Sequence, residues 1–306
     1  MKFSSSFVSF VSLSVLAPLA AGLAVPLKRE GNVTDVDVLN FALTLEHLEN
    51  TFYHEALAKF SEADFTNAGH PDWIRGRFTE IAQHEQVHVD GITAAVKGMN
   101  GTPVQPCTYK FAYKDIPGFF ALGNAFETVG SSAYSGAASF VSQKPVLTVA
   151  ATILAVEARH SSWISGSVLD ANPWSGAFEA ALTPNQVFTI ASSFIESCPS
   201  SNAPLPAKAN PPLALSDGAK PGDKTTLTFD ASAAGGSKAF LVFQTSNGPV
   251  STDIADDKTA TIPSDLRGTV FAFVSSKQNA TDDASVLAGP ALLMFPYDAQ
   301  GQLIKQ

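Results

Sequence analysis

Basic residues, cysteines and long apolar runs are all scarce in this sequence of 306 residues. It has 19 Lys and Arg against 28 Asp and Glu, and the basic residues form no cluster beyond Arg29. Phosphate backbones and anionic lipid surfaces are bound mainly through clustered Lys and Arg. After the N-terminal segment, no run is long and apolar enough to span a bilayer. The composition therefore argues against nucleic acid as a partner and against a membrane anchor.

The first 24 residues have the pattern of a secretory signal peptide. A lone Lys2 precedes an apolar run from Phe7 to Leu23, and Gly22-Leu23-Ala24 offers a small-residue cleavage site. Serines and a proline interrupt the run, so a membrane anchor is the weaker interpretation. Lys28-Arg29 predicts a further, dibasic processing site. Removal of the chain through that pair would leave 16 basic against 28 acidic residues, a net charge of −12.

If the chain is secreted, its two cysteines can form a disulfide and three short motifs can be glycosylated. Cys107 and Cys198 are the whole cysteine content, and in an oxidising compartment they suit one disulfide. Asn32, Asn100 and Asn279 each begin an Asn-x-Thr acceptor for N-glycosylation. We therefore expect a glycoprotein located in the extracellular space or the cell wall.

Five segments before residue 200 carry the signals of helices. Thr34-Asp35-Val36-Asp37 resembles a capping box ahead of the first, with Asp in place of Glu or Gln. Pro117 falls in the first turn of the third, and Thr183-Pro184 supplies the cap and first position of the fifth. The predicted helices cover about residues 35–60, 71–99, 116–141, 145–171 and 184–198.

The connections predict how these helices pack. Short links join the first helix to the second and the third to the fourth, so each pair is expected to form an antiparallel hairpin. The segment from Asn100 to Ile116 is much longer and contains two prolines. Two hairpins and one long crossover predict a mainly α domain over residues 34–199, a ferritin-like four-helix bundle with a short fifth helix.

The composition changes after Ser200. Residues 200–212 are rich in Pro, Ala and Asn and are predicted to be a linker between independently folding units. Short β-prone runs follow, separated by Gly, Asp and Asn, so residues 213–300 predict a small immunoglobulin-like sandwich. No catalytic constellation occurs in it, and we interpret it as a stabilising or protein-contacting domain. The β-prone runs are Thr225–Phe229, Ala239–Gln244, Thr259–Ile262, Thr269–Val274 and Ala291–Phe295.

The fourth predicted helix carries one carboxylate in an apolar run. Glu157 and His160 are three residues apart there, so they lie on one face of the helix. An unpaired carboxylate in so apolar a helix would be costly, and it requires a partner or a metal ion. A buried salt-bridged pair is the alternative interpretation.

Three matching pieces occur on the other helices. The second helix contains Glu85 and His88 at the same spacing, the third contains Glu127 as its one acidic residue, and the first contains Glu46. Four carboxylates with two neutral imidazoles carry a charge of −4, which two divalent cations would balance. Glu46, Glu85, His88, Glu127, Glu157 and His160 are therefore the candidate metal ligands.

Two tyrosines support the assignment of Glu46 on the first helix and Glu127 on the third as metal ligands. Tyr53 follows Glu46 by seven positions and Tyr134 follows Glu127 by seven, nearly two helical turns, so each shares a stripe with its glutamate. Tyr53 and Tyr134 are candidate catalytic residues, through hydrogen bonding to a ligand or electron transfer; plain core tyrosines are the alternative. Glu49 lies one turn after Glu46 and could act as the ligand instead.

Glu80 and His84 form a rival pair on the second helix, four positions apart. The fourth helix has no counterpart to them. We interpret them as residues beside the site or on the solvated face.

The ligand set resembles a known pattern. Glu, Glu-x-x-His, Glu, Glu-x-x-His on successive helices is the set of ferritin-like di-iron and di-manganese carboxylate proteins. Residues 46–53, 84–88 and 155–160 also resemble the secreted ferritin-like-domain proteins of fungi, of the stress-response and late-sexual-development type, which are related to plant desiccation-related proteins. This resemblance covers about residues 36–198, and the tail around Ala288-Gly289-Pro290-Ala291 is similar as well. It implies a helical bundle and a metal site, but no particular reaction.

Two function hypotheses follow. The first is an extracellular oxidoreductase with two iron or manganese ions, which oxidises ferrous iron or consumes peroxide; carboxylate-rich ligation favours these metals over zinc or copper. The second is a non-enzymatic stress or desiccation-related protein of the cell wall or spores, with a structural or vestigial metal site. The expected partners are metal ions and dioxygen or peroxide, with cell-wall contact or a homodimer as further options.

Overall fold

A computed structural model describes residues 33–304. The predicted signal peptide, the dibasic site at Lys28-Arg29 and the acceptor Asn32 lie outside the described residues. Within them, a helical bundle is followed by a domain of antiparallel β-sheets. No helix in this part of the chain combines the length and the apolar character needed to cross a membrane.

Four long helices form the bundle. Helix α1 packs against α3, and α4 packs against α5, so each predicted hairpin is present. A short α2 follows α1, a 3₁₀ turn extends α4 through Ala138–Phe140, and a π-helical turn extends α5 through Ile164–Val168. The described helices are α1 (Asp35–Lys59), α2 (Glu62–Asn67), α3 (Trp73–Gly98), α4 (Ile116–Ala137), α5 (Lys144–Trp163) and α6 (Pro184–Ser192).

The predicted helix starts are confirmed. The Thr34 side chain caps α1 and Asp37 returns the bond, which completes the predicted capping box. Thr183 caps α6, with Pro184 at its first position. Asp35 also ties the two hairpins together, because its carboxylate accepts hydrogen bonds from the backbone N–H of Ser142 and Gln143 just before α5. N–H groups that would otherwise lack partners at the start of α5 are thereby satisfied.

Two predictions about the helices were wrong in detail. The link between the first two long helices is not simply a loop, because Ser61 and Asp64 form a second capping box that starts α2. Helix α6 ends at Ser192 and not at Cys198. The following residues form strand β2 (Ile195–Ser197), which pairs with β1 (Thr108–Tyr109) in the crossover. This pairing competes with helix continuation at the end of the bundle.

The disulfide between Cys107 and Cys198 is confirmed, and it lies directly beside the β1–β2 pair. It closes a loop of 91 residues in sequence separation. In the chain-entropy view, a loop of this length contributes about 4–5 kcal/mol by restricting the unfolded chain. The crossover is thereby fixed to the segment that follows α6.

The C-terminal domain has a sheet of three strands, in the order β3-β4-β7, and one of four, in the order β6-β5-β8-β9. All the pairings are antiparallel, as expected for an immunoglobulin-like sandwich. The sequence analysis missed β3 and β6. Strand β6 is an edge strand with Pro249 near its start and little apolar alternation. The strands are β3 (Ala214–Leu215), β4 (Lys224–Thr228), β5 (Phe240–Thr245), β6 (Gly248–Asp253), β7 (Thr259–Thr261), β8 (Gly268–Ser275) and β9 (Val286–Phe295).

Strand β8 is buried on both faces. Val270, Ala272 and Val274 belong to the core between the two sheets. Phe271 and Phe273 alternate with them and belong to the same apolar cluster as the bundle core. The four-stranded sheet therefore lies between the three-stranded sheet and the helices.

Polar contacts also join the bundle to the sheet domain. Thr183, the cap of α6, donates to Asp283, and Thr269 donates from its backbone N–H to Ser175. In the predicted linker, the backbone N–H of Asn210 bonds to Thr189 of α6. The segment is therefore docked on the bundle, and whether the two units fold independently stays a prediction.

Candidate metal centre

Five carboxylates and two imidazoles meet in the interior of the bundle. Each of the four long helices contributes, and the i, i+3 spacing on α3 and α5 places Glu and His on the same inward face. Their exposures are Glu46 1%, Glu49 5%, Glu85 0%, His88 9%, Glu127 0%, Glu157 0% and His160 7%. Charged side chains are rarely so buried unless they are paired or bind a metal.

The six predicted ligands come together in two overlapping groups. One contains Glu46 and His88, the other contains Glu127 and His160, and both contain Glu85 and Glu157. In each group, one donor atom per residue lies within 4.8 Å of all the others. Around a divalent ion bound octahedrally at about 2.1 Å, adjacent donors lie about 3 Å apart and opposite ones about 4 Å apart. The arrangement therefore fits the binding of metal ions.

The imidazoles point their Nδ1 atoms at the carboxylates. His88 Nδ1 is 3.1 Å from Glu85 Oε2 and 3.2 Å from Glu46 Oε2. His160 Nδ1 is 3.0 Å from Glu127 Oε2, and 3.3 Å from Glu85 Oε1. Each imidazole thus faces a glutamate that only its own group contains, together with the shared Glu85.

Orphaned oxygens test whether a metal fits. Both carboxylate oxygens of Glu157 and Oε1 of Glu85 are buried, and none of the three makes a hydrogen bond of good geometry among the described residues. Imidazole nitrogens approach two of them at longer distances: His88 Nδ1 is 3.5 Å from Glu157 Oε1, and His160 Nδ1 is 3.3 Å from Glu85 Oε1. A buried oxygen without a hydrogen bond bears a desolvation cost of about 1–3 kcal/mol or more. Cations bound by Glu85 and Glu157, the shared members of both groups, would satisfy these oxygens. The residues present therefore fit the binding of metal ions.

Without cations, the site holds protons. Burial raises the pKa of Glu46 to about 7, despite a hydrogen bond with His88 that lowers it. Burial, with the neighbouring carboxylates, raises the pKa of Glu157 well above its usual range, and burial raises that of Glu127. Burial would also raise the pKa of Glu85, but hydrogen bonds from His160 and His88 outweigh it and lower that pKa to about 2.

The pKa values of the two imidazoles are raised by the same carboxylates. Burial alone would lower the pKa of His88 and His160, but the facing carboxylates raise both to about 10. Two imidazolium groups therefore partly neutralise the carboxylates in the metal-free site. Metal ions would replace these protons, because a ligating imidazole must be neutral at the bound nitrogen and the carboxylates ionised.

The comparisons with known proteins agree with this geometry. Residues 34–169 match the family model of the ferritin-like domain. These residues have a ferritin-like fold. It is also similar to Protein rds1 of Schizosaccharomyces pombe (strain 972 / ATCC 24843), at 23% identity over 181 residues, which cover 59% of this chain. The matched region spans 44% of that protein's length. The predicted fold, a ferritin-like helical domain followed by an antiparallel β domain, is confirmed.

The two candidate tyrosines, Tyr53 and Tyr134, are buried and bind glutamates of the opposite half. Tyr53 on α1 donates its hydroxyl to Glu127 Oε1 on α4, at 2.5 Å. Tyr134 on α4 donates to Glu46 Oε1 on α1. The sequence placed each tyrosine on the stripe of its own glutamate, but the hydrogen bonds cross between the two helices. Each tyrosine thus orients a carboxylate that belongs to one of the two groups.

The small-residue stretch of α4 has a specific reason at Gly130. A Cβ at this position would lie 2.3 Å from Glu157 Oε2 and 3.2 Å from Glu49 Oε1. No side chain fits there unless the carboxylates move. The backbone of α4 therefore forms one wall of the site, beside Glu157, which is one of the two glutamates that both groups share.

Glu49 is buried in the cluster but is not among the six predicted ligands. The sequence offered it only as an alternative ligand to Glu46, whereas the structure buries both side chains. Burial, with Glu46, Glu85 and Glu127, raises the pKa of Glu49 well above its usual range. The i, i+3 spacing of Glu46 and Glu49 is the signal that both point inward.

Proposed function

We propose that the ferritin-like domain binds two iron or manganese ions. The ligands would be Glu46 and His88 on one side and Glu127 and His160 on the other, with Glu85 and Glu157 between the ions. The observation that carries the proposal is the buried pair of Glu157 oxygens, neither of which has a hydrogen bond among the described residues. A salt-bridged core would pair both oxygens closely, whereas here His88 Nδ1 lies 3.5 Å from Oε1.

The composition of the donor set favours these two metals. It offers up to five carboxylates and only two imidazoles, and such oxygen-rich sites suit manganese and iron better than copper. Four ionised carboxylates balance two divalent ions. Glu49 adds a fifth carboxylate, which would stabilise a pair whose total charge exceeds +4. Iron and manganese reach such charges, and zinc does not.

The reaction we propose is oxidation of ferrous iron by dioxygen, or consumption of peroxide. When bound, the metal pair supplies electrons and open coordination positions. Tyr53 and Tyr134 hold Glu127 and Glu46 in place, and both keep their protons, because burial and the adjacent carboxylates raise their pKa well above the usual range. They are positioning residues in this role.

The surroundings of the site limit the size of a substrate. An apolar cavity of about 30 Å³ is lined in part by Leu45, Ile92 and Tyr134. Another of about 20 Å³ lies beside Glu49 and Gly130. Each has room for a molecule about the size of water. Dioxygen and hydrogen peroxide are substrates of about this size.

A second candidate is a non-enzymatic stress protein in which the metal stabilises the bundle. The observation that favours it is the shared core of β8 and the helices, because the β domain adds packing to the bundle and no titratable group to the site. Such a protein would act in the cell wall or in spores. In either case we propose that the protein is secreted, which suits its Cys107–Cys198 disulfide.

Metal analysis of the purified protein tests the proposal. His88→Ala and His160→Ala should each reduce metal content sharply, because an imidazole is lost while mutually repulsive carboxylates remain. Glu127→Gln keeps the shape but removes one charge, and should leave about one ion bound. His54→Ala and Glu55→Gln alter exposed residues of α1 and serve as controls.

Activity separates the two candidates. Ferrous oxidation or peroxide consumption should follow metal content across the series if the centre is catalytic. Metal-dependent thermal stability without turnover would favour the stress protein. Full metal loading of both histidine variants would contradict the metal centre itself.

A further inference from the structure

His84 lies outside the ligand pattern but touches one of its members. It is an exposed residue of α3, one helical turn before His88, and it reaches across to α5. Its Nδ1 is 3.0 Å from Nε2 of His160. The two rings are stacked, with centroids 5.2 Å apart and an angle of 6° between their planes. Both nitrogens of His160 therefore have partners, since its Nδ1 faces Glu127.

The direction of this contact follows from the chemistry of a ligating imidazole. If His160 Nδ1 binds a metal, its Nε2 must carry the proton. That N–H then donates to Nδ1 of His84, which must be the acceptor. Ligating histidines are usually oriented by such a hydrogen bond from the other ring nitrogen, most often to a carboxylate or a backbone carbonyl. Here the acceptor is a second histidine.

The other half of the site has no such partner. The residue four positions before His160 on α5 is Val156, which has no acceptor in its side chain. The hydrogen bonds of His88 within the described residues run from its Nδ1 to Glu46 and Glu85. The two Glu-x-x-His motifs are therefore alike in sequence. Among the described residues, however, a side chain contacts the Nε2 atom of His160 and none is hydrogen-bonded to Nε2 of His88.

We propose that His84 is a positioning residue that accepts the Nε2 proton of His160 and makes the Glu127–His160 metal position the tighter of the two. The inference rests on the proposed metal centre. A pre-oriented imidazole loses less conformational freedom when it binds, so the ion on its side is held more strongly. The two ions would then bind in order, first beside His160 and afterwards beside His88.

Calorimetric titration with Mn²⁺ tests the proposal. The wild-type protein should show two binding steps of different affinity. His84→Phe keeps a stacked ring but has no acceptor, and should weaken the tighter step by about 10- to 100-fold. His84→Asn places an acceptor oxygen near the position of Nδ1 and should recover most of the lost affinity. His54→Phe and His54→Asn, on an exposed face, should bind like the wild type.

A double variant shows whether His84 acts through His160. His84→Phe should cause no further loss of affinity in a protein that already carries His160→Ala, because the group it orients is absent. In the Co²⁺-loaded protein, His84→Phe should shift the NMR signal of one ligating imidazole N–H and leave the other unchanged. Circular dichroism confirms that each variant keeps its helices.

The outcomes separate this inference from the metal centre. A wild-type protein that binds neither Mn²⁺ nor, under anaerobic conditions, Fe²⁺ would refute the proposed function. Two ions bound equally well by the wild type and His84→Phe would leave the centre intact and overturn the role of His84. Equal losses in His84→Phe and His84→Asn would also overturn it, because the acceptor atom would then not matter.

Discussion

The two domains have cores of opposite character. In the β domain, the side chains buried between the sheets are apolar, and the buried polar ones among its described residues are hydroxyls, such as Thr225 and Ser275. In the helical bundle, five carboxylates and two imidazoles are buried among aromatic rings. The first core gains free energy from apolar burial alone. The second includes charged groups whose burial is unfavourable without an ion.

The contrast agrees with the metal site proposed in the bundle. The oxygens of Glu157 have no hydrogen-bond donor among the described residues, and His88 Nδ1 is 3.5 Å from Oε1. A sheet domain packed against such a bundle can supply stability that the charged core lacks. Phe271 and Phe273 are among the residues that make this contact.

The largest effect is expected where the two cores meet. Phe273→Ala removes a fully buried ring at the junction and should lower the free energy of unfolding by about 3–5 kcal/mol. Helical and sheet signals should lose stability together, as measured by urea unfolding followed by far-ultraviolet circular dichroism and tryptophan fluorescence. Phe240→Ala, on the same sheet but half-buried, should cost less. A helical transition unaffected by Phe273→Ala would show that the units fold independently.

The pH dependence of the metal-free protein should reveal the charged core. The folded pKa of Glu46 is about 7 against an ordinary 4.5, so its penalty is absent below about pH 4.5 and complete above about pH 7. This difference corresponds to about 3 kcal/mol. The pKa values of Glu49, Glu127 and Glu157 are raised as well, so they act in the same direction.

His88, His160 and Glu85 set the pH range in which the metal-free protein is most stable. His88 and His160, with folded pKa values of about 10, contribute stability that is complete below about pH 6.5 and is lost as the pH rises through 10. Glu85, at about 2, contributes stability above about pH 4.5 that is lost as the pH falls through 2. Chelator-treated protein should therefore be most stable near about pH 5 and weaken toward pH 10. A free energy of unfolding, measured with urea, that increases from about pH 5 to pH 8 would contradict this.

A smaller effect is expected at the wall of the site. Gly130→Ala would place a Cβ 2.3 Å from Glu157 Oε2 and should reduce both metal content and stability, the latter by about 1–3 kcal/mol. Gly123→Ala on the same helix is the matched control, because its Cβ would make ordinary contact at 3.4 Å with the Tyr53 hydroxyl. That variant should lose no metal and gain up to about 1 kcal/mol from helix propensity. Equal metal content in both variants would refute the close fit.

The smallest effect distinguishes the fifth carboxylate from the shared ones. Glu49→Gln should stabilise the metal-free protein by about 1 kcal/mol, because one repelling charge is lost, and should leave two metal ions bound. Glu85→Gln should have the opposite effect, since Glu85 accepts hydrogen bonds from His88 and pairs with His160. Thermal melts with and without chelator, combined with metal analysis, measure both. Destabilisation of the metal-free protein by Glu49→Gln would show that its charge is needed.

Much of the architecture was predictable because its signals are local. Thr34 and Thr183 mark helix starts by their own side chains, and the apolar spacing of the long helices is visible without any partner. The Glu-x-x-His motifs on α3 and α5 indicated four of the six candidate ligands, because residues three apart share a helix face whatever the rest of the chain does. Glu46 and Glu127 were indicated as the matching carboxylates on the other two long helices. The edge strand β6 gave no such signal, because its pairing with β5 and not its composition makes it a strand.

The sequence by itself indicated the six candidate ligands, the caps at which α1 and α6 begin, and that its two cysteines suit one disulfide. Only the tertiary structure decided how the helices combine. It joins Tyr53 to Glu127 and Tyr134 to Glu46 by hydrogen bonds between α1 and α4. It also buries Glu49 beside Glu46 and stacks His84 on His160. The physical reason is range: helical periodicity depends on neighbours within one turn, whereas these contacts depend on the relative positions of helices that are distant in the chain.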